Sequence, residues 1–195
     1  MILQSFAIAL TAIFDLFILA ALVRFWMQTV RAPSRNPMAQ FSMALTDWGV
    51  KPLRRIVPGL FRLDLASLIL ALVIEFVLQS LLTWMFGNSP IDDPSMLTWV
   101  LFLAFVELLR LTLYVFMGAI IIQAVLSWVS PNHPVMPFFD AFARPVLRPL
   151  RSVIPLIGGV DITPLFVLLI FQLVFMPIVA WLEQDSLRTL GRALL

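Results

Sequence analysis

The chain has 195 residues, of which 62% are hydrophobic and 12% charged, and its formal net charge is +2. A soluble globular chain is about half apolar and about a quarter charged, and a disordered one is poor in apolar residues and highly charged. Both classes are excluded, and the composition is that of a membrane protein. Cysteine is absent and His133 is the single histidine. This excludes disulfides, a thiol nucleophile, thiolate zinc or iron–sulfur centres, and a two-histidine metal or haem site within one chain; no cofactor is expected.

Crossing ~30 Å of hydrocarbon takes roughly 20 apolar residues as a helix, and four runs reach that length. The first, residues 6–27, holds Asp15 near its middle and Arg24 and Trp26 near its end. It is expected to be retained as a span, because residues 1–4 carry no cation and Asp15 interrupts the apolar stretch, unlike a cleavable signal peptide. The second, residues 65–86, contains Glu75 halfway and Trp84 near its exit. The third apolar run covers 97–129, roughly 50 Å as a helix, which is long for one perpendicular crossing. It is divided here into an interfacial helix over 96–106 and a span over 111–129, with Glu107 and Arg110, three apart and able to pair, at the outer boundary. A single long helix, tilted or projecting, is the competing reading. The fourth span covers 162–182, with a bend expected at Pro177.

Four crossings put both termini and the link around Asp92 and Asp93 on one side, and the two long connections on the other. Arg31, Arg35, Lys51, Arg54, Arg55, Arg62, Arg144, Arg148 and Arg151 all fall in the long connections. The opposite side holds only Arg188, Arg192 and boundary Arg110. By the positive-inside rule the connections are cytoplasmic and both termini lie outside.

The sequence also repeats itself. At an offset of 97, residues 51–84 align with 148–181 without a gap: Pro52, Leu53, Arg54, Pro58 and Asp64 recur as Pro149, Leu150, Arg151, Pro155 and Asp161, and Trp84 as Trp181. Lys51 becomes Arg148, mid-span Glu75 becomes Gln172, and Pro37 becomes Pro134. Met38, Phe41 and Leu45 fall on Val135, Phe138 and Phe142, a spacing that places each set on one helix face. The expected fold is all-α, with four transmembrane helices arranged as two repeats, 1–95 and 96–195. Each repeat is a span, an amphipathic cytoplasmic helix, a proline-bracketed turn and a second span. Two crossings per unit make the repeats parallel, not inverted as in many transporters.

Within each turn the prolines are expected to confine any helix to little more than one turn and to force corners, since proline lacks an amide hydrogen and fixes φ. Asp64 and Asp161 then fit N-cap positions, with Thr163 before Pro164 as a rival in the second copy. Arg54 is expected to pair with Asp64, and Arg151 with Asp161.

Asn36-Pro37, Pro52-Leu-Arg-Arg-Ile-Val-Pro58 and Asp64, followed by His133-Pro134, Pro149-Leu-Arg-Ser-Val-Ile-Pro155 and Asp161, resemble the bacterial YggT family, whose plastid and Gram-positive relatives are called YlmG. The resemblance spans nearly the whole chain in both copies. His133 in place of asparagine, Ser152 in place of the second arginine, and Pro164 where the first copy has Ser67 are departures that separate the roles of the two turns. The resemblance implies a small integral inner-membrane protein without an established enzymatic activity. Its relatives are associated with envelope or division processes and osmotic tolerance in bacteria, and with maturation of the photosynthetic membrane in plastids.

Lys51, Arg54, Arg55, Arg148 and Arg151 lie beside the amphipathic helices, where anionic headgroups attract cations at about 1 kcal/mol each. They are candidates for lipid or partner contact; the plainer reading is that they set topology and cap the turns. Asp15 and Glu75 are costly in lipid and count as functional candidates by default. With Gln79, Gln123 and Gln172 they are expected to form an interior polar network, either as neutral carboxyls bonded across helices or as a proton or cation path. Gly118 stands without a partner at four-residue spacing, and Gly158-Gly159 reads as a turn, not a phosphate loop.

No nucleophilic, metal or nucleic-acid-binding constellation is found. The leading expectation is a non-enzymatic scaffold or assembly factor of the bacterial inner membrane, contacting lipids and other membrane proteins, with a homo-oligomer possible. The alternative is a small ion- or proton-transport component that uses Asp15 and Glu75.

Overall fold

The computed structural model describes residues 1–57, 63–87, 94–154 and 161–193. Pro58, Arg62, Asp92, Asp93, Pro155, Gly158 and Gly159, and the side chains of Arg188 and Arg192, lie outside the described residues.

The described chain is helical: α1 (Ile2–Thr29), α2 (Pro37–Ile56), α3 (Leu65–Met85), α4 (Pro94–Val129), α5 (Met136–Arg151), α6 (Thr163–Ile170), a π-helical turn (Phe171–Phe175) and α7 (Met176–Ala193). Four stretches are long and apolar enough to cross a membrane: Ile2–Thr29, Leu65–Met85, Met96–Val129 and Thr163–Gln184. The expected division of the third run is therefore corrected. α4 is continuous over 36 residues, about 54 Å at 1.5 Å per residue. No glycine or proline occurs between Ser95 and Met117 to break it. Its two charges are also satisfied within helical geometry, Arg110 bonding Glu107 at 2.7 and 3.0 Å one turn away.

The fourth span runs through the π-helical turn, which ends immediately before Met176-Pro177. Proline at 177 lacks the amide hydrogen that Leu173 would otherwise receive, and its ring crowds that carbonyl. A local wide turn relieves both, so the irregularity expected at Pro177 is expressed one turn upstream of it.

Helices in lipid gain little from burying leucine against leucine, so they associate where small residues let backbones approach. α1 and α3 meet in this way: Ala21, Ala71 and Leu22, all fully buried, pack with Ile18 and Leu78, and Leu108 and Leu111 of α4 close the cluster. A second cluster joins Phe138, Phe139, Phe142 and Leu147 of α5 to Phe116, Ala119 and Ile120 of α4 and to Val167 and Phe171 of the fourth span.

The two amphipathic helices are built differently. Asn36 caps α2 by accepting the Ala39 amide at 2.9 Å, ahead of Pro37 in the first turn. His133 makes no such cap, and α5 starts only at Met136. α5 buries Phe138 and Phe142. In α2 the buried face is small and polar, Ala39, Ser42, Thr46, Gly49 and Val50, while Met38, Phe41 and Trp48 are exposed. Gly49 is required by contact: a Cβ there would lie 2.6 Å from Leu70 Cδ1. Because Leu70 is itself buried, Gly49→Ala is expected to cost about 1–3 kcal/mol. Adding Leu70→Val should recover part of the loss in detergent unfolding experiments.

The corners expected at the first proline of each turn are also corrected. Pro52 lies inside α2, and Pro145 and Pro149 lie inside α5. All three are exposed.

Candidate functional site

Two ion-pair clusters join charged side chains of different helices. The first stands where α1, α2 and the start of α3 meet, and its centre is Arg24. This side chain is 6% exposed; its Nη1 donates to Thr46 Oγ1 at 3.0 Å and to Asp47 Oδ1 at 2.8 Å, and its Nε lies 3.7 Å from Asp64 Oδ2. Lys51 Nζ reaches the second oxygen of Asp47 at 2.7 Å. Arg54 grips Asp64 with two nitrogens, Nε donating to Oδ1 at 3.2 Å and Nη2 to Oδ2. Ser67 Oγ donates to the same carboxylate at 2.7 Å. Thr46 is oriented by donating to the Ser42 carbonyl, and Ser42 donates to the Ala20 carbonyl at 2.6 Å, which ties α2 to α1.

The Arg54–Asp64 pair is present as expected, but the role given to Asp64 changes. It stands at the N-cap position of α3, yet no amide of that helix bonds its side chain. Arg54 and Ser67 occupy the carboxylate instead. Burial alone raises the Asp64 carboxyl; the bonds from Arg54 and Ser67 and the charges of Arg54 and Arg24 more than offset this and hold it below the usual aspartate value. Asp47 is held low as well, by its bonds to Lys51 and Arg24.

At the corresponding place before the fourth span, Arg151 Nε donates to Asp161 Oδ2 at 2.7 Å. Asp161 Oδ1 accepts the Thr163 amide at 2.9 Å, although the N-cap position of α6 itself falls on Ile162. Burial pushes the Asp161 carboxyl up, but the Thr163 bonds and Arg151 bring it below its ordinary value. At the offset of 97, Thr46, Asp47 and Ser67 correspond to Ala143, Arg144 and Pro164. The polar interlock of the first connection is thus replaced by the phenylalanine packing of α5. Arg55 and Arg148 are exposed.

The second cluster lies within the spans. Arg110 of α4 bonds Glu107 and also donates from Nη1 to Glu183 Oε2 of α7 at 3.0 Å. Glu75 of α3 is fully buried; its Oε1 accepts from Gln79 Nε2 at 2.8 Å and its Oε2 has no partner. Ile18 and Leu78, one turn from Asp15 and Glu75, pack in one cluster with Leu108 and Leu111, which flank Glu107 and Arg110. Asp15 is half-buried and lines a cleft of about 420 Å³ with Ala7, Ile8, Thr11, Ala12, Leu82 and Phe86.

This corrects the expected interior network in three ways. Gln172, the counterpart of Glu75, is exposed. Gln123 is buried but its Oε1 has no partner, and it does not join the carboxylates. The cation in the same core as Asp15 and Glu75 is Arg110, but its bonds go to Glu107 and Glu183 and to neither of them. Its role was hidden by dividing α4, and that of Arg24 by treating it as an end-of-span charge. Each could have been found by asking which carboxylate satisfies an arginine inside an apolar run.

The family model described as CCB3/YggT matches residues 3–85 and 95–182. The chain belongs to the CCB3/YggT family. An uncharacterised protein of Pseudomonas aeruginosa is 36% identical over 167 residues, covering 85% of this chain and 83% of that one. YggT of Escherichia coli K12, also uncharacterised, is 29% identical over 178 residues, covering 91% and 90%. An uncharacterised Vibrio alginolyticus protein is 31% identical over 163 residues, 83% and 86% of the two chains. No solved structure matches. The matched segments of the CCB3/YggT model contain the first cluster and all of the second except Glu183.

Proposed function

We infer that the chain is a non-enzymatic, multi-pass protein of the bacterial inner membrane that organises other membrane components from its cytoplasmic side. Two parallel repeats, 1–95 and 96–195, place both termini outside and the arginine-bearing connections inside. The charge asymmetry of the connections supports that orientation. The observation that carries the reading is α2. Its small polar face is fastened to α1 and α3 by Arg24, Ser42 and Gly49, which leaves Met38, Phe41 and Trp48 directed outward. An anchored helix with exposed aromatic and methionine side chains, beside exposed Lys51, Arg54 and Arg55, suits contact with anionic lipid and with partner spans.

The chain has no cysteine, so single cysteines can report both sidedness and contact. Cysteines at Arg55 and Arg148 are expected to be blocked by impermeant reagent only in inverted vesicles; labelling of the two from opposite faces overturns the parallel arrangement. A photo-crosslinker at Phe41 or Trp48 should capture discrete membrane partners. Reversing Arg55 and Arg148 together removes about 1 kcal/mol per cation, and is expected to weaken the retention of anionic lipid by the purified protein tenfold or more. Unchanged partner capture and lipid binding would remove the scaffold reading. A small transport component is the second reading, favoured by Glu75 and Arg110 within the spans, and flux in liposomes that depends on Asp15 and Glu75 would establish it.

A further inference from the structure

Among the ionisable side chains of the spans, Glu75 stands in an unusual position. It is fully buried, one carboxylate oxygen is bonded to Gln79 and the other has no partner. Ile18 and Leu78 each lie one turn from a carboxylate, Asp15 and Glu75 respectively, and both sit in the cluster that also contains Leu108 and Leu111 beside Glu107 and Arg110. The packing of α1, α3 and α4 thus gathers Asp15, Glu75, Glu107 and Arg110 around one core, and Glu183 of α7 joins through Arg110. Tyr114 is the further titratable group near Arg110. From α2, Asp47 pairs with Lys51 and with Arg24 of α1, beside the start of α3, ten residues before Glu75.

Arg110 is the cation of this core, and its guanidinium is bonded to Glu107 and Glu183, not to Glu75. An ionised carboxylate in an apolar interior without its own cation is neutralised rather than tolerated. A metal ion would need several converging oxygens, and among the described residues no group of three or more acidic or metal-ligating side chains is arranged to hold one. A proton needs only the free Glu75 Oε2. A cleft between the N-terminal half of α1 and the C-terminal end of α3 leads toward it: its lining reaches Asp15 on α1 and Leu82 on α3, about two helical turns short of buried Glu75.

We propose that Glu75 is a reversible proton-binding site, loaded from the aqueous phase on the terminal side of the membrane through the cleft lined by Asp15. A proton from that phase adds to Oε2, converting the carboxylate to a neutral carboxyl while Gln79 keeps Oε1. On release it returns by the same route, so the site binds a proton without requiring net transport. It stands independently of the scaffold reading.

The test is infrared difference spectroscopy of the protein in lipid nanodiscs, cycled between acidic and alkaline pH. A carboxylic C=O band should appear on acidification, disappear on the return, and be lost in Glu75→Gln. Asp15→Asn should keep the band, and Ala12→Trp, which fills the cleft, should slow its response at least severalfold. Carbon-13 labelling of glutamate in the parent protein must shift the band, an assignment that holds even if Glu75→Gln folds poorly. A parent without a pH-reversible band, a band unmoved by labelled glutamate, or the same band in folded Glu75→Gln overturns the proposal.

Discussion

Arg24→Leu is expected to lower unfolding free energy by about 3–5 kcal/mol, the usual cost of removing one member of a buried ion pair. The side chain is 6% exposed and serves Thr46, Asp47 and Asp64 together. Its loss leaves the Ser42–Ala20 bond as the side-chain tie between α2 and α1, and leaves the buried Asp64 with Arg54 alone as its cation. Asp47 is better hydrated and keeps Lys51, which places the effect toward the lower end of that range. Arg144→Leu is the matched control: its pair with Asp140 is an exposed one, and such pairs contribute at most about 1 kcal/mol. Thermal and denaturant unfolding in detergent measure both. The same cluster fixes a pH dependence. Asp47 and Asp64 are held low in the fold, so their stabilisation is complete above the unfolded aspartate value of about 3.9 and is lost as pH falls below it. Arg24→Leu should flatten that acid limb; an unchanged acid limb would contradict the assignment.

Arg110→Leu is expected to be comparably severe, about 3–5 kcal/mol. It strands Glu107, whose side chain is 12% exposed, and releases Glu183, undoing the only ion pair described between α4 and α7. The double variant Arg110→Leu with Glu107→Leu should recover much of the loss, because well-packed apolar replacements of a buried pair are often near neutral. If the single variant is as stable as the parent, the cluster does not hold α7 in place.

The existence of four spans, the two arginine–aspartate pairs ten residues apart, and the amphipathic character of α2 were legible because each depends on local spacing: run length, i to i+10 complementarity, helical periodicity. What was not legible depends on which faces meet. Periodicity put Met38 and Phe41 on one side of α2 and Phe138 and Phe142 on one side of α5, but only tertiary packing turns the first pair out and the second pair in. Asp64 was read as a cap because the N-cap rule is local, whereas Arg54 and Arg24 compete for the same oxygens from a distance. Likewise, Gln172 shares the register of Glu75 and not its surroundings.

The unbroken course of α4 has a mechanical consequence. One stretch of it carries Glu107 and Arg110, and within the next three turns it carries Phe116, Ala119 and Ile120 against the phenylalanines of α5. A rod without a joint cannot absorb a tilt along its length. Any change of charge that shifts it near α7 is therefore passed along the same rod to its aromatic contact with α5, so that an event among the buried charges can be felt at an amphipathic helix.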